Sequence, residues 1–312
     1  MDTPALVIVG SIGIDHIETP FVKKENLLGG SVSYACAAAS FFTSPGMVGV
    51  VGDDFPEEFL ELYRSFDVNL EGLQRAAGQT FAWTGVYEEN MDNRSTLETV
   101  LGVFEKFEPV LPESYVDAPF VFLGNMHPSL QLHVLNQIRS PKFILADTMD
   151  LWINITRSEL IEVVSKVNML TLNESEARLL TDRHNLIDAA QQLLTMGPQF
   201  VLIKKGEHGS MLFSKTGTFI QPAFPLAKVE DPTGAGDTFA GALMGYLTQQ
   251  NACEEADIRR AMVHGSVVAS FGVQSFSLDA LQPLSTHQIH DRVSRLVSMM
   301  QVDLPCAVNA SA

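Results

Sequence analysis

Residues 231–237, DPTGAGD, hold the residue types that phosphate chemistry needs. Gly234, Ala235 and Gly236 carry little or no side chain, so backbone N–H groups there can approach a ligand closely. The pattern that follows, TFAGALMGY, starts a helix. The first N–H groups of a helix lack internal partners, and its dipole adds roughly half a positive charge. Such a turn suits an anion, above all a phosphate. Asp237 then sets a carboxylate where an anion alone would be repelled. Its use is as a base, kept ionised by the same dipole: a hydroxyl attacking a held phosphate must lose its proton. A plainer alternative stays open, in which Asp231 and Asp237 only cap an amphipathic helix.

The elements that must position these residues are legible as short apolar runs: ALVIVG, GMVGVVG, FVFLGN, KFILADT, NMLTLN and QFVLIKKG. Helix-period segments follow several of them, such as SVSYACAAASFF, SLQLHVLNQIR and ITRSELIEVVSKV. Continuous apolar strands alternating with amphipathic helices predict a mostly parallel sheet covered on both faces. With right-handed crossovers this is a doubly wound α/β domain. It is expected to span residues 1–304 as one domain, with 305–312 a loose tail. Ligands of open α/β sheets bind beyond the carboxyl ends of the strands. That singles out Asp15 after ALVIVGSIGI, Asn125 after FVFLG, Asp147 after KFILA, Asn173 after NMLTL, and Lys204 or Lys205 after QFVLI. Strand ends are often polar merely because loops are wet.

Residues 80–104, TFAWTGVYEENMDNRSTLETVLGVF, break the rhythm. They predict two inserted strands around a polar turn, a lid over the site. Alternation puts Phe81, Trp83 and Tyr87 on one face and Ala82, Thr84 and Val86 on the other. On the second strand Leu97, Leu101 and Val103 share a face, with Val100 and Phe104 opposite. A two-stranded sheet cannot bury both faces against its own core. One face is expected to cap the substrate and the other to pair two chains as a homodimer.

The chain has 312 residues, 20 Lys and Arg against 37 Asp and Glu, and a formal charge of −17. That balance argues against nucleic acid or an anionic membrane as partner. Cys36, Cys253 and Cys306 show no paired or metal-type spacing, as suits a reducing compartment. The opening MDTPALVIVGSIGID has no cationic leader and too short an apolar run for a span, so a soluble, cytoplasmic protein is expected.

DPTGAGDTFAGAL closely resembles the C-terminal signature of the ribokinase-like (PfkB) carbohydrate and nucleoside kinases. Other stretches resemble further family motifs in the right order: VGSIGID, LLGGSVSYACAAA, NESE, KKGEHGS and HGSVVASFGVQSF. The resemblance implies a ribokinase-like fold and an ATP-dependent kinase that moves the γ-phosphate to a hydroxyl of a sugar or sugar derivative. A nucleoside is the alternative acceptor. It implies Asp237 as base, with Gly234, Ala235 and Gly236 as the anion hole. Asp15, Gly29, Gly30 and Asn125 would contact the acceptor, and Asn173, Lys204, Gly206, Gly209 and His264 would bind ATP. Glu176 would organise Mg²⁺, largely through water, and Asp231 and Thr233 would hold a monovalent cation such as K⁺. By spacing alone, NESE reads first as a capping box. The family's sugar kinases commonly carry Asn where this chain has Tyr34. Tyr34, Phe81, Trp83 and Met126 form either an apolar wall for a base or ordinary core packing. A catalytically dead sensor would have no need of Asp237, and VGSIGID lacks the G-x-G-x-x-G spacing of a dinucleotide site.

Overall fold

The computed structural model describes residues 3–91 and 94–302, so the tail at 305–312 lies outside the described residues. In chain order the strands and helices begin β1 (Leu6–Val9), β2 (Gly13–Glu18), β3 (Lys23–Gly29), α1 (Ser31–Ala39), β4 (Gly46–Val51), α2 (Glu57–Ser65), β5 (Asn69–Arg75), β6 (Phe81–Tyr87) and β7 (Arg94–Val100). Next come β8 (Phe120–Leu123), α3 (Pro128–Leu135), β9 (Phe143–Asp147), α4 (Asp150–Ile155), α5 (Arg157–Val164), β10 (Met169–Asn173), α6 (Glu174–Thr181) and α7 (Leu186–Thr195). The chain continues through β11 (Phe200–Lys204), β12 (Ser210–Ser214), β13 (Gly217–Gln221), α8 (Ala235–Gln250), α9 (Glu255–Gly272) and α10 (Thr286–Met300).

Among the described residues, nine strands form one sheet in the order β13-β12-β11-β10-β9-β8-β1-β4-β5. All its pairs are parallel except those of the β11–β12–β13 edge. Alternation explains the two covered faces. Leu6 and Ile8 of β1 join the core under α1, α8 and α9, while Val7 and Val9 join the opposite core under α3 and α5. The chain winds one way through β4 and β5 and the other way from β8 to β11, so the switch point lies between β1 and β8. A ligand cleft is expected beyond their carboxyl ends.

A second sheet has the order β3-β2-β6-β7. The inserted strands expected at 80–104 are β6 and β7, but β2 and β3 complete the sheet. ALVIVGSIGI is therefore two strands and not one: β1 ends at Val9, and β2 starts at Gly13 in the other sheet. Asp15 sits on the lid, not at the end of a main-sheet strand. β2 pairs with β6 in parallel, matching Asp15 with Trp83 and Ile17 with Gly85.

The second lid strand is shorter than its alternation suggests. It ends at Val100, its pairing with β6 shifts at Gly85, and Gly102–Lys106 is a 3₁₀ turn. Val103 and Phe104 leave the lid to pack on the large domain's core. Leu101, Val103 and Phe104 thus belong to no strand face.

Candidate active site

The carboxyl edge of β9, β10 and β11 builds one half of the site. Parallel register pairs Asn173 with Lys204, and Asp147 ends the next strand over. Lys204 Nζ lies 2.8 Å from Asp147 Oδ2, with both side chains mostly buried. A methyl group at Gly236 would come 3.0 Å from the same Nζ. The lysine therefore stands against the 234–236 turn, a positive charge beside the first free amides of α8. Burial alone would lower its pKa, but Asp147 and Glu176 outweigh this and hold it above its ordinary value.

Asn173 and Glu176 form the capping box that their spacing allows. Glu176 N donates to Asn173 Oδ1 at 2.9 Å, and Asn173 N donates to Glu176 Oε2 at 2.7 Å. The box also fixes the acid's position, since Glu176 is only 8% exposed and feels both Lys204 and Asp147. Burial, partly offset by Lys204, pushes it up to about 7. No group of three or more His, Cys, Asp or Glu among the described residues is arranged to hold a metal. Hard oxygen donors do fit Mg²⁺, which takes few protein ligands and completes its shell with phosphate and water.

Asp237 lies in the first turn of α8. Burial, and then the Asp147 carboxylate, push its pKa up to about 7, against Lys204 and Arg94. The helix dipole does not keep it strongly ionised, as the sequence led us to expect. A base poised near neutrality is the better matched one.

The lid sheet builds the other half. Asp15 is 4% exposed, and a methyl group on Gly29 would fall 1.9 Å from its Oδ2. Only glycine lets β3 pass so close to the carboxyl. Burial first, and Asp231 second, raise Asp15 to about 8, with Arg94 opposing and Asp237 adding to the rise. Gly30, at φ 91°, turns the chain from β3 into α1. Three residues along α1, Tyr34 lays its ring under the 234–236 turn. A methyl group on Gly234 (φ 72°) would meet that ring at 2.3 Å. The Tyr34 hydroxyl is buried without a hydrogen-bond partner. Asp231 is 2% exposed; its Oδ1 accepts from Thr233 N at 2.9 Å, and its Oδ2 is buried without a partner. An orphaned carboxylate oxygen fits a bound cation.

Sequence reasoning missed three contributors. Asp147 appeared only as one polar strand end among several. Tyr87 places its phenolic oxygen 2.9 Å from Thr233 Oγ1. Arg94, across the register from Tyr87, stacks its guanidinium 5.6 Å from the Trp83 ring centroid and opposes the raised pKa of Asp15 and Asp237. The available signal was an arginine in a lid strand of an acidic chain.

Several expected residues are not drawn into this cluster. Asn125 stands at the switch point, but Trp152 Nε1 donates to its Oδ1 at 2.8 Å and its Nδ2 contacts Met149 Sδ at 3.1 Å. His264 stacks on Tyr246 at 4.1 Å and meets Phe42 edge-on. That is the α9 face turned to the end of α1, whereas Arg259 of α9 covers Phe219 of β13. His264 is thus partly engaged in aromatic packing. Met126 is core. Phe81 packs on Phe104 but also stands beside Gly13, where an added methyl group would meet its ring at 2.8 Å and Asp15 Oδ1 at 3.3 Å, so of the expected wall Tyr34, Phe81 and Trp83 reach the site region. Gly206 and Gly209 bracket the tight turn between β11 and β12.

A buried carboxylate on the small sheet and a Gly-Ala-Gly helix start on the large domain are features that suit a phosphotransferase. The family description "pfkB family carbohydrate kinase" matches residues 22–284, and the chain belongs to that family. It is 31% identical over 258 residues to a cytidine kinase of Thermococcus kodakarensis, covering 80% of this chain and 91% of that one. Among solved structures, it resembles the Burkholderia thailandensis nucleoside kinase in complex with inosine, with TM-score 0.76, 19% identity and coverage of 94% and 99%. It also resembles an E. coli protein described as a ribokinase II, solved with ATP and Mg²⁺, with TM-score 0.77, 17% identity and coverage of 95% and 100%. The chain is a sugar or nucleoside kinase of the ribokinase family, acting on an alcohol group. No helix among the described residues is long and apolar enough to cross a membrane.

Proposed function

We propose that the chain phosphorylates a primary hydroxyl of a nucleoside, with ATP as donor. The observation that carries this is the cross-strand pairing of Asp15 with Trp83 on one face of the lid, with Leu27 on the other side of Asp15. A diol-binding carboxylate beside an aromatic and aliphatic flank suits a ribose carrying a flat base. The cytidine kinase relative supports the same acceptor class. A plain sugar is the second reading, favoured by Arg94, whose guanidinium already covers the Trp83 ring.

In this reading Asp15 accepts hydrogen bonds from acceptor hydroxyls and orients them. Asp237 takes the proton of the attacking hydroxyl, and the amides at 234–236 with Lys204 receive the charge on the transferring phosphate. Asn173 and the Gly206–Gly209 turn flank the rest of ATP. Glu176 would hold Mg²⁺, largely through water, and the ion bound with ATP would supply neutralisation of phosphate charge. Asp231 Oδ2, with Thr233 beside it, serves a monovalent cation such as K⁺. ATP as donor, with Cys36 and Cys253 unpaired, suits a cytoplasmic setting. The outer lid face suits a homodimer.

The test is ADP release over nucleosides, ribose, fructose and keto-deoxy sugar acids, with Mg²⁺ and K⁺ present. A nucleoside is expected to give the highest kcat/KM, and a sugar turned over faster would reverse the choice of acceptor. Asp237→Asn is expected to bind ATP normally and lose roughly 10²–10⁴-fold in kcat, the usual range for a general base. Activity within tenfold of wild type would remove Asp237 from that role.

A further inference from the structure

We infer that Tyr87 is a positioning residue, which ties the acceptor-holding lid to the turn that holds the phosphate. Tyr87 ends β6, on the same face as Trp83 and 5% exposed. Its ring packs with Ile17 of β2 and Phe276 of the loop after α9. Ile17 is two residues beyond Asp15 on the same strand and face. Its phenolic oxygen lies 2.9 Å from Thr233 Oγ1, across 146 residues of sequence. Thr233 N in turn donates to Asp231 Oδ1 at 2.9 Å, and Thr238 N donates to Gly234 O at 2.8 Å as α8 begins. One side chain therefore touches both the sheet that carries Asp15 and the turn that carries the anion hole.

The consequence is mechanical. The lid cannot rise from the turn without breaking the phenol–threonine hydrogen bond. The turn, glycine-rich and half-exposed at 232–237, has few other side-chain ties. The polar contacts within it run from Thr233 to Asp231, which sits below it. A lid that settles on its acceptor thus fixes Thr233, and through it the amides that follow. Ser277 Oγ donates to Leu28 O in the neighbouring lid strand, which docks the lid on the 270s loop but leaves the turn itself untouched. Among the described hydrogen bonds from the lid, only the Tyr87–Thr233 pair reaches the turn directly; the loop after α9 holds its base, where Asp231 N donates to Val273 O.

The inference rests on the chain being a kinase whose lid holds the acceptor, and not on which acceptor that is. Tyr87→Phe keeps the ring and removes the hydroxyl, and Thr233→Val removes the other partner at equal size. Each is expected to lower kcat roughly three- to tenfold, the range of one hydrogen bond, with KM for both substrates within about twofold. The double variant should be no worse than the worse single one, because each removes the same bond. Losses that multiply, or an unchanged kcat in Tyr87→Phe, would overturn it. Rates are read with whichever acceptor the wild type uses best. Hydrogen exchange on the ligand-free protein gives a readout independent of any acceptor. In Tyr87→Phe, peptides covering 81–87 and 233–238 should exchange faster together. A lid that loosens while the turn keeps its protection would also overturn the inference.

Discussion

Asp237 owes its working pKa to neighbours that are distant in sequence. Burial and Asp147 raise it to about 7, and Lys204 and Arg94 hold it down. As the proposed base, Asp237 would be active only when deprotonated, so kcat should fall as pH drops below about 7. Asp147→Asn removes a repelling carboxylate and should move that acid limb to lower pH, whereas Lys204→Met should move it higher. A pH–rate profile of each variant checks the signs, and a limb unmoved in both would mean another group sets it. The Gly-Ala-Gly helix start, with Asp237 in its first turn, was legible in the sequence because these residues are contiguous and the small ones have a direct physical use. The setting of that base was not legible. Asp147, Tyr87 and Arg94 act through tertiary contacts such as the 146-residue pairing of Tyr87 with Thr233, which no local pattern encodes. Nor were the partners of Asn125 and His264 legible: Trp152 donates to the first, and Tyr246 stacks on the second.

The strands of the main sheet announced themselves as continuous apolar runs because both of their faces are buried. The lid did so only in part. β6 and β7 alternate clearly, but β2 follows β1 after a three-residue break, Gly10-Ser11-Ile12, whose lone serine is too slight an interruption to read. β3, KKENLLG, is exposed over most of its length and lacks an apolar signal. Among the charged and polar side chains that the lid leaves outside, three large apolar ones stand out: Phe21 is 69% exposed, Leu97 64% and Leu101 45%. Large side chains standing singly are ordinary, but three on one small sheet and its flanks favour a partner. Sedimentation equilibrium at micromolar concentration is expected to give a dimer, and Leu97→Asp a monomer of unchanged fold by circular dichroism. A wild-type chain that stays monomeric would end the idea.

Across the whole molecule, function and stability pull against each other. The chain carries a formal charge of −17 and still gathers Asp15, Asp231 and Asp237 in one cluster. Asp15 is raised to about 8, and Glu176 and Asp237 to about 7. Acids with a folded pKa above the unfolded value bind more protons when folded, so stability falls as pH rises between those values. The ligand-free protein is therefore expected to melt at a lower temperature at pH 8 than at pH 5.5. Asp237→Asn removes one of the strained charges and should melt above wild type at pH 8, the common cost of an active site. Thermal melts at the two pH values check both, and a wild type more stable at pH 8 would contradict the assignment of these shifts.

The lid is assembled from two stretches of chain, Gly13–Gly29 and Phe81–Val100, zipped together by the parallel β2–β6 pairing. Evolution or an engineer seeking a new acceptor preference cannot therefore exchange it as one cassette. A graft of residues 80–104 from a relative would bring in half a sheet and leave β2 to pair with a foreign neighbour. Asp15 would then face whatever residue replaced Trp83. Preference for one acceptor over another must drift through matched changes in both stretches. Chimeras that carry both should keep activity where those carrying one lose it.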